Sequence, residues 1–200
     1  MLSHELRASK QGYRVIAGMD EAGRGPLAGP VVAACVIPAT YDFKSRIDDS
    51  KKLTGRMRDR ACGEIMEKCA YGIGVVDEKT IDRINILQAT LLAMERAVMG
   101  LAGRPDIILI DGNMKISLPC EYISIIDGDK KSFSIACASI VAKVTRDRMM
   151  DEYHKTYPAY GFCRHKGYGT RQHRSAIKKH GPCPIHRVTF RPICEKSQTA

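Results

Sequence analysis

The stretch YRVIAGMDEAGRGPLAGPVVAACVIP, residues 13–38, decides the fold. Residues 13–19 have the apolar content of a strand and run straight into Asp20 and Glu21. Gly23, Gly25, Pro26, Gly29 and Pro30 follow, a composition that belongs to a turn or loop. Residues 31–37 are a continuous apolar run of strand type, closed by Pro38. Two strands this close in sequence are expected to pair antiparallel, leaving two acids beside a glycine-rich turn.

Downstream, Thr54 is placed to cap a helix over residues 56–69, and residues 71–76 read as a third short strand. Residues 77–101 predict a helix, because Ile81, Ile84, Leu87, Leu91, Leu92 and Met94 recur near helical spacing; Gly100, Gly103 and Pro105 stop it. Residues 106–110 and 121–126 read as buried-type strands, ended by Asp111-Gly112 and by Asp127-Gly128-Asp129. Ser132 begins a long helix whose Ala136, Cys137, Ala138, Ser139 and Ala142 are small enough for close approach to a sheet. Residues 170–180 form a basic helix ended by Gly181-Pro182. This order predicts an α/β architecture, a mixed five-stranded sheet flanked by helices with a C-terminal basic helical extension.

Three of these strands end in carboxylates: Asp20 with Glu21, Asp111, and Asp129. Taken singly, each is an ordinary turn residue. Together, acids at the C-terminal ends of strands share one edge of an open α/β sheet, where such folds keep their sites. Converging carboxylates repel one another unless cations neutralise them. Mg²⁺ and Mn²⁺ prefer such oxygen ligands, and two ions about 3.5–4 Å apart clamp an in-line phosphoryl displacement.

The net charge of +10 is concentrated at one end, with 13 Lys and Arg against 4 Asp and Glu over residues 143–200. That distribution suits a polyanion-binding surface, although a solvated basic face gives the same count. No stretch reaches the roughly 18–20 apolar residues that span a bilayer, and the polar residues 1–12 lack a secretory apolar run, so a cytoplasmic protein is expected. The eight cysteines include no CxxC pair and are read as reduced. Cys163 and His165 with Cys183 and His186 depart from structural-zinc spacing.

The segment from Ala17 through Asp20, Glu21, Gly23, Arg24 and Gly25 to Ala34 resembles the signature of the ribonuclease HII family. So do Asp48 to Thr54, Leu109 to Gly112, Gly128-Asp129 through Lys143 to Asp147, Lys166 to Thr170, and His186 to Phe190. The resemblance implies a ribonuclease H-like fold and metal-dependent hydrolysis of the phosphodiester 5′ to a ribonucleotide. The implied substrates are RNA–DNA hybrids and duplex DNA containing ribonucleotides; the products carry 3′-OH and 5′-phosphate ends. By motif match Asp20, Glu21, Asp111 and Asp129 are the catalytic, metal-binding acids for Mg²⁺ or Mn²⁺, and Asp127 is not among them. Gly23, Arg24 and Gly25 bring main chain close to the sugar, whose 2′-OH distinguishes RNA from DNA. Tyr168 resembles the family tyrosine that reads the sugar at the RNA-to-DNA junction; without the motif it would be a surface tyrosine. Ser50, Lys51, Lys52, Lys143 and Arg146 are assigned to phosphates, although Lys143 and Asp147 also suit a helix-surface pair.

The expected organisation is a flexible N-terminus at 1–12, one catalytic domain at 13–194 and a flexible tail at 195–200. A monomer is expected, and the tail has no clamp-binding motif. A ribonuclease HIII would carry an additional N-terminal domain, for which residues 1–12 are too few. A catalytically silent nucleic-acid-binding module would lack one or more of the four acids.

Overall fold

The computed structural model describes residues 1–194, so the expected tail at 195–200 lies outside the described residues. In chain order the elements are α1 (Ser3–Lys10), β1 (Ile16–Ala22), β2 (Val31–Pro38), α2 (Gly55–Lys68), β3 (Cys69–Val76), α3 (Glu78–Met99), β4 (Ile107–Asp111), β5 (Glu121–Ile125), α4 (Gly128–Lys131), α5 (Phe133–Thr156), α6 (Phe162–His165) and α7 (Arg171–His180). The five strands form one mixed sheet in the order β3-β2-β1-β4-β5. β1 is antiparallel to β2 and parallel to β4, with Met19 opposite both Cys35 and Ile110. That register carries Asp20, one residue on, to the same edge as Asp111.

Alternation along the central strand sorts its two faces. Ala17 and Met19 join Ala33, Cys35, Ile108 and Ile110 under Ala89, Ala93, Met94 and Ala97 of α3. On the opposite face α5 crosses so close to Gly18 that a Cβ there would stand 2.0 Å from the Ser134 carbonyl carbon. The small residues of α5 make that approach feasible, and it places Ser139 near Asp20.

Several expectations are corrected. Residues 1–12 are not a loose terminus, because α1 docks with Glu5 only 2% exposed. The Glu5 carboxylate accepts from Ser132 Oγ at 2.6 Å, Ser134 N at 3.0 Å and Ser134 Oγ at 2.9 Å, capping the positive end of the 24-residue α5. The helix α3 is kinked at Asn85, which has φ 67° and accepts from Leu87 N and Gln88 N, so it caps a second helical segment. β5 is an edge strand whose residues alternate outward, with Ile123 exposed, rather than a fully buried one.

The basic C-terminal part packs as its own cluster. Tyr160, Phe162, Ile177, Ile185 and Ile193 close over Leu27 and Ala28 of the β1–β2 connection and Met150 of α5. This attachment brings the loop carrying Tyr168 to the acid-bearing edge of the sheet.

Gly18→Ala is expected to lower the unfolding free energy by about 1–3 kcal/mol or more, since main chain of α5 must move to admit the methyl group. Urea denaturation checks it; an unchanged midpoint and slope would contradict so close a helix–strand contact.

Candidate active site

β1 delivers Asp20 and Glu21, and β4 ends at Asp111 beside them. Asp129 arrives differently from expectation: β5 ends at Ile125, the chain reverses through Asp127 at φ 54°, and Asp129 stands in the first turn of α4. Asp111 helps to set that turn, its Oδ1 accepting from Gly128 N at 2.6 Å. Asp129 is buried and its Oδ2 lies 3.4 Å from Lys51 Nζ, whereas Asp127 is exposed and paired with Lys130.

These acids occupy an electrostatically costly place. Burial, then the charges of Glu21 and Asp111, push the Asp20 carboxyl well above the usual carboxylate range; its bond with Ser139 pulls the other way. Burial also raises Glu21, against the opposing Arg24 guanidinium 3.2 Å from Oε1. Burial raises Asp129 despite Lys51. The other Glu21 oxygen, Oε2, is buried and has no hydrogen-bond partner among the described residues. Among the described residues no three carboxylate, imidazole or thiol groups stand in closed metal-ligand geometry. The donor set nevertheless fits a hard divalent cation: it is all oxygen, it is crowded with negative charge, and it includes one buried oxygen with nothing to bind.

Asp20, Glu21, Gly23, Arg24, Gly25 and Asp111 line one side of a cleft of about 440 Å³; Ser50, Lys51, Ser139, Lys143 and Tyr168 complete it. Asp49, buried below, accepts from Lys51 N at 2.9 Å and shapes the Ser50-Lys51 turn. Ser50 and Ser139 share a hydrogen bond of 3.0 Å. Lys143 reaches the cleft while bonded to Asp147 at 2.7 Å. Lys52 lies outside the cleft lining and is paired with Asp48.

Arg146 is a correction. It is 1% exposed and donates to the carbonyls of Ala28, Pro30 and Lys166, so it holds the main chain and does not face phosphate. Gly23, at φ 100°, leaves it room, since a Cβ there would lie 2.1 Å from Arg146 Nε. Arg187, to which sequence assigned no role, is fully buried and donates to the carbonyls of Gly23, Arg24, Pro26 and Gly29. Its only sequence signal is membership of the His186 to Phe190 block. Ser139 likewise carries no sequence signal beyond its small size.

The histidines of the Cys/His group near the C-terminus are otherwise engaged. His165 Nε2 bonds the Tyr160 carbonyl, and His186 bonds Cys183 and His173. All eight cysteines are free. No helix among the described residues is long and apolar enough to cross a membrane.

The family model described as Ribonuclease HII matches residues 17–193. The chain is 57% identical over 193 residues to ribonuclease HII of Geobacter sulfurreducens, covering 96% of this chain and 88% of that one. It is 56% identical over 191 residues to that of Acetivibrio thermocellus, covering 95% and 75%. In fold it is similar to the ribonuclease H2 of Pyrococcus horikoshii, with TM-score 0.79, 24% identity, and coverage of 93% and 98%. It is also similar to Bst ribonuclease HIII in complex with Mn²⁺, with TM-score 0.69, 18% identity, and coverage of 93% and 70%. The acids at one sheet edge, the mixed ribonuclease H sheet and these matches agree: the chain belongs to the ribonuclease HII family and is a ribonuclease H hydrolase.

Proposed function

We propose that the chain is an endoribonuclease that hydrolyses the phosphodiester 5′ to a ribonucleotide, in RNA–DNA hybrids and at ribonucleotides embedded in duplex DNA, leaving 3′-OH and 5′-phosphate. The observation that carries this reading is the short path from acids to sugar-reading turn. Asp20 and Glu21 share one cleft with Gly23, Arg24 and Gly25, and a Cβ on Gly25 would lie 3.8 Å from the Tyr168 ring.

Asp20, Glu21, Asp111 and Asp129 would hold two divalent cations, Mg²⁺ or Mn²⁺, which when bound supply an activated water and neutralise the leaving oxygen. The Mn²⁺ of the ribonuclease HIII complex supports the choice of ion class. Glycines 23 and 25 let main-chain groups approach the ribose, where the 2′-OH donates and accepts. Ser50, Lys51 and Lys143, on the cleft wall, would hold the scissile phosphate; Lys51, 3.4 Å from Asp129 Oδ2, would be released to it if a bound cation held that carboxylate. Lys52 extends this charge at the rim. Tyr168, 45% exposed, offers its ring to the neighbouring sugar. Arg171, Arg174 and Lys178 form an exposed basic face on α7 suited to a duplex backbone.

Duplex DNA containing one ribonucleotide, incubated with Mg²⁺ or Mn²⁺, tests the reading. Cleavage on the 5′ side of the ribonucleotide is expected, and none with chelator. Asp20→Asn is expected to lower the rate by at least about 10²–10³-fold while leaving substrate binding largely intact. A cut on the 3′ side, or retained Mg²⁺-dependent cleavage by the variant, would contradict it.

The raised carboxyls also set a stability pattern. A group whose folded pKa lies above its unfolded value contributes most at low pH, and that contribution is lost as pH rises through the folded pKa. Charge repulsion in the Asp20 cluster therefore grows towards alkaline pH, and a bound cation relieves it. At about 100 times its Kd, Mg²⁺ is expected to add about 2.7 kcal/mol. For a chain of this size that is roughly 5–10 °C in Tm. At one fixed Mg²⁺ concentration the gain should be larger at pH 8 than at pH 5 and much reduced in Asp20→Asn. Equal gains in thermal melts at both pH values would count against a carboxylate metal site.

A further inference from the structure

Tyr168 sits on a short loop between α6 and α7, with its ring at the cleft and its main chain over a buried group of three histidines. Its N–H donates to the His165 carbonyl at 2.9 Å, and its own carbonyl lies 3.0 Å from His173 Nδ1. His173 is fully buried, stacked on His165 with ring centroids 4.5 Å apart, and packed edge-on against Phe162. Its Nε2 lies 3.0 Å from His186 Nε2.

The partners fix where the protons are. A carbonyl only accepts, so His173 Nδ1 carries a hydrogen towards Tyr168. In the neutral ring Nε2 then accepts, so His186 donates from its own Nε2. His186 Nδ1 is left to accept from Cys183 N–H at 2.8 Å, the shorter of its two contacts with Cys183, whose carbonyl lies 3.2 Å away. The chain of donors thus runs in one direction, from Cys183 through His186 and His173 to the Tyr168 carbonyl. Its far end is anchored to the other substrate-facing segment: His186 pairs with Ala28 across a β-bridge, and Arg187 N donates to Leu27 O at 2.9 Å.

We propose that His173 is a positioning residue which, braced by His186, fixes the main chain of Tyr168 relative to the turn at residues 23–25. The inference rests on the reading of Tyr168 as the residue that faces the sugar beside the ribonucleotide. Nothing in the substrate touches His173; it acts through the tyrosine. Burial lowers both His173 and His186 to about 4, so both rings are neutral around pH 7, as the chain of donors requires. His165, stacked on His173, is lowered by burial as well; Arg174, next to His173, donates to the Gly169 carbonyl, and Arg187, next to His186, donates to the carbonyls of Gly29 and Pro26.

Asparagine places an N–H where histidine has Nδ1, and glutamine places its amide at the Nε2 position, so the two substitutions separate the two bonds. His173→Gln is expected to lower kcat/KM on duplex DNA with a single ribonucleotide about tenfold, with His173→Asn recovering most of the loss. His173→Gln combined with Tyr168→Ala should be no worse than Tyr168→Ala alone, since both act through one side chain. Additive losses, or equal losses for Asn and Gln, would overturn the positioning role. No effect of Tyr168→Ala itself would instead remove the reading of Tyr168, and the inference with it. Nitrogen-15 NMR of the unmodified protein at pH 7 needs no variant to fold. Nδ1–H on His173 with Nε2–H on His186 is expected, and the reverse tautomers or a charged His173 ring would overturn the proposal.

Discussion

Two buried guanidinium groups hold the connection on which the site depends. Residues 23–30 leave β1 and return into β2 with few of the regular main-chain bonds that a hairpin would supply. Arg187 answers the carbonyls of Gly23, Arg24, Pro26 and Gly29, and Arg146 those of Ala28 and Pro30. An unanswered buried carbonyl costs about 1–3 kcal/mol, and an unanswered buried guanidinium more, so loop and arginines stabilise each other. Burial lowers Arg146 to about 10 and Arg187 to about 9, both still charged at neutral pH. Five donors in a planar fork let one side chain meet several carbonyls at once, which an ammonium does not do.

The same arrangement bears on charge. Asp20, Glu21, Asp111 and Asp129 crowd negative charge at the sheet edge, and two fixed cations lie beneath the loop that follows. Lys51 and Arg24 reach Asp129 and Glu21 from the solvent side, where they are free to move. Rigid cations thus hold the loop and mobile ones shield the acids. The mobile pairs can separate without disturbing the scaffold, because neither lysine nor arginine side chain in them bonds the loop main chain that Arg146 and Arg187 hold.

Much of this was legible in sequence because the signals are local. Apolar runs gave five strands, Ser132 gave the start of α5, and strand ends gave Asp20 and Asp111. What was not legible depends on partners distant in sequence. Arg146 looks like a surface cation until the carbonyls of Ala28 and Pro30 are brought to it. Glu5 looks like part of a polar tail until α5 presents its first turn. Asp129 reads as a strand end because nothing local announces that the chain reverses at Asp127 and begins a helix one residue later. His173 reads as part of a basic helix, although its ring packs edge-on against Phe162 in the apolar cluster that α7 covers.

Arg187→Lys tests the dependence of the site on its buried fork most directly. Lysine keeps the charge and much of the length but cannot reach four carbonyls, so the turn at residues 23–25 should loosen while the sheet remains folded. The measurement is kcat/KM on duplex DNA with a single ribonucleotide at saturating Mg²⁺, with circular dichroism on the same sample. A fall of about 10²-fold in a folded variant is expected, the scale set by ångström-level misplacement of a reacting group. A folded Arg187→Lys that cleaves as fast as the unaltered protein would contradict it.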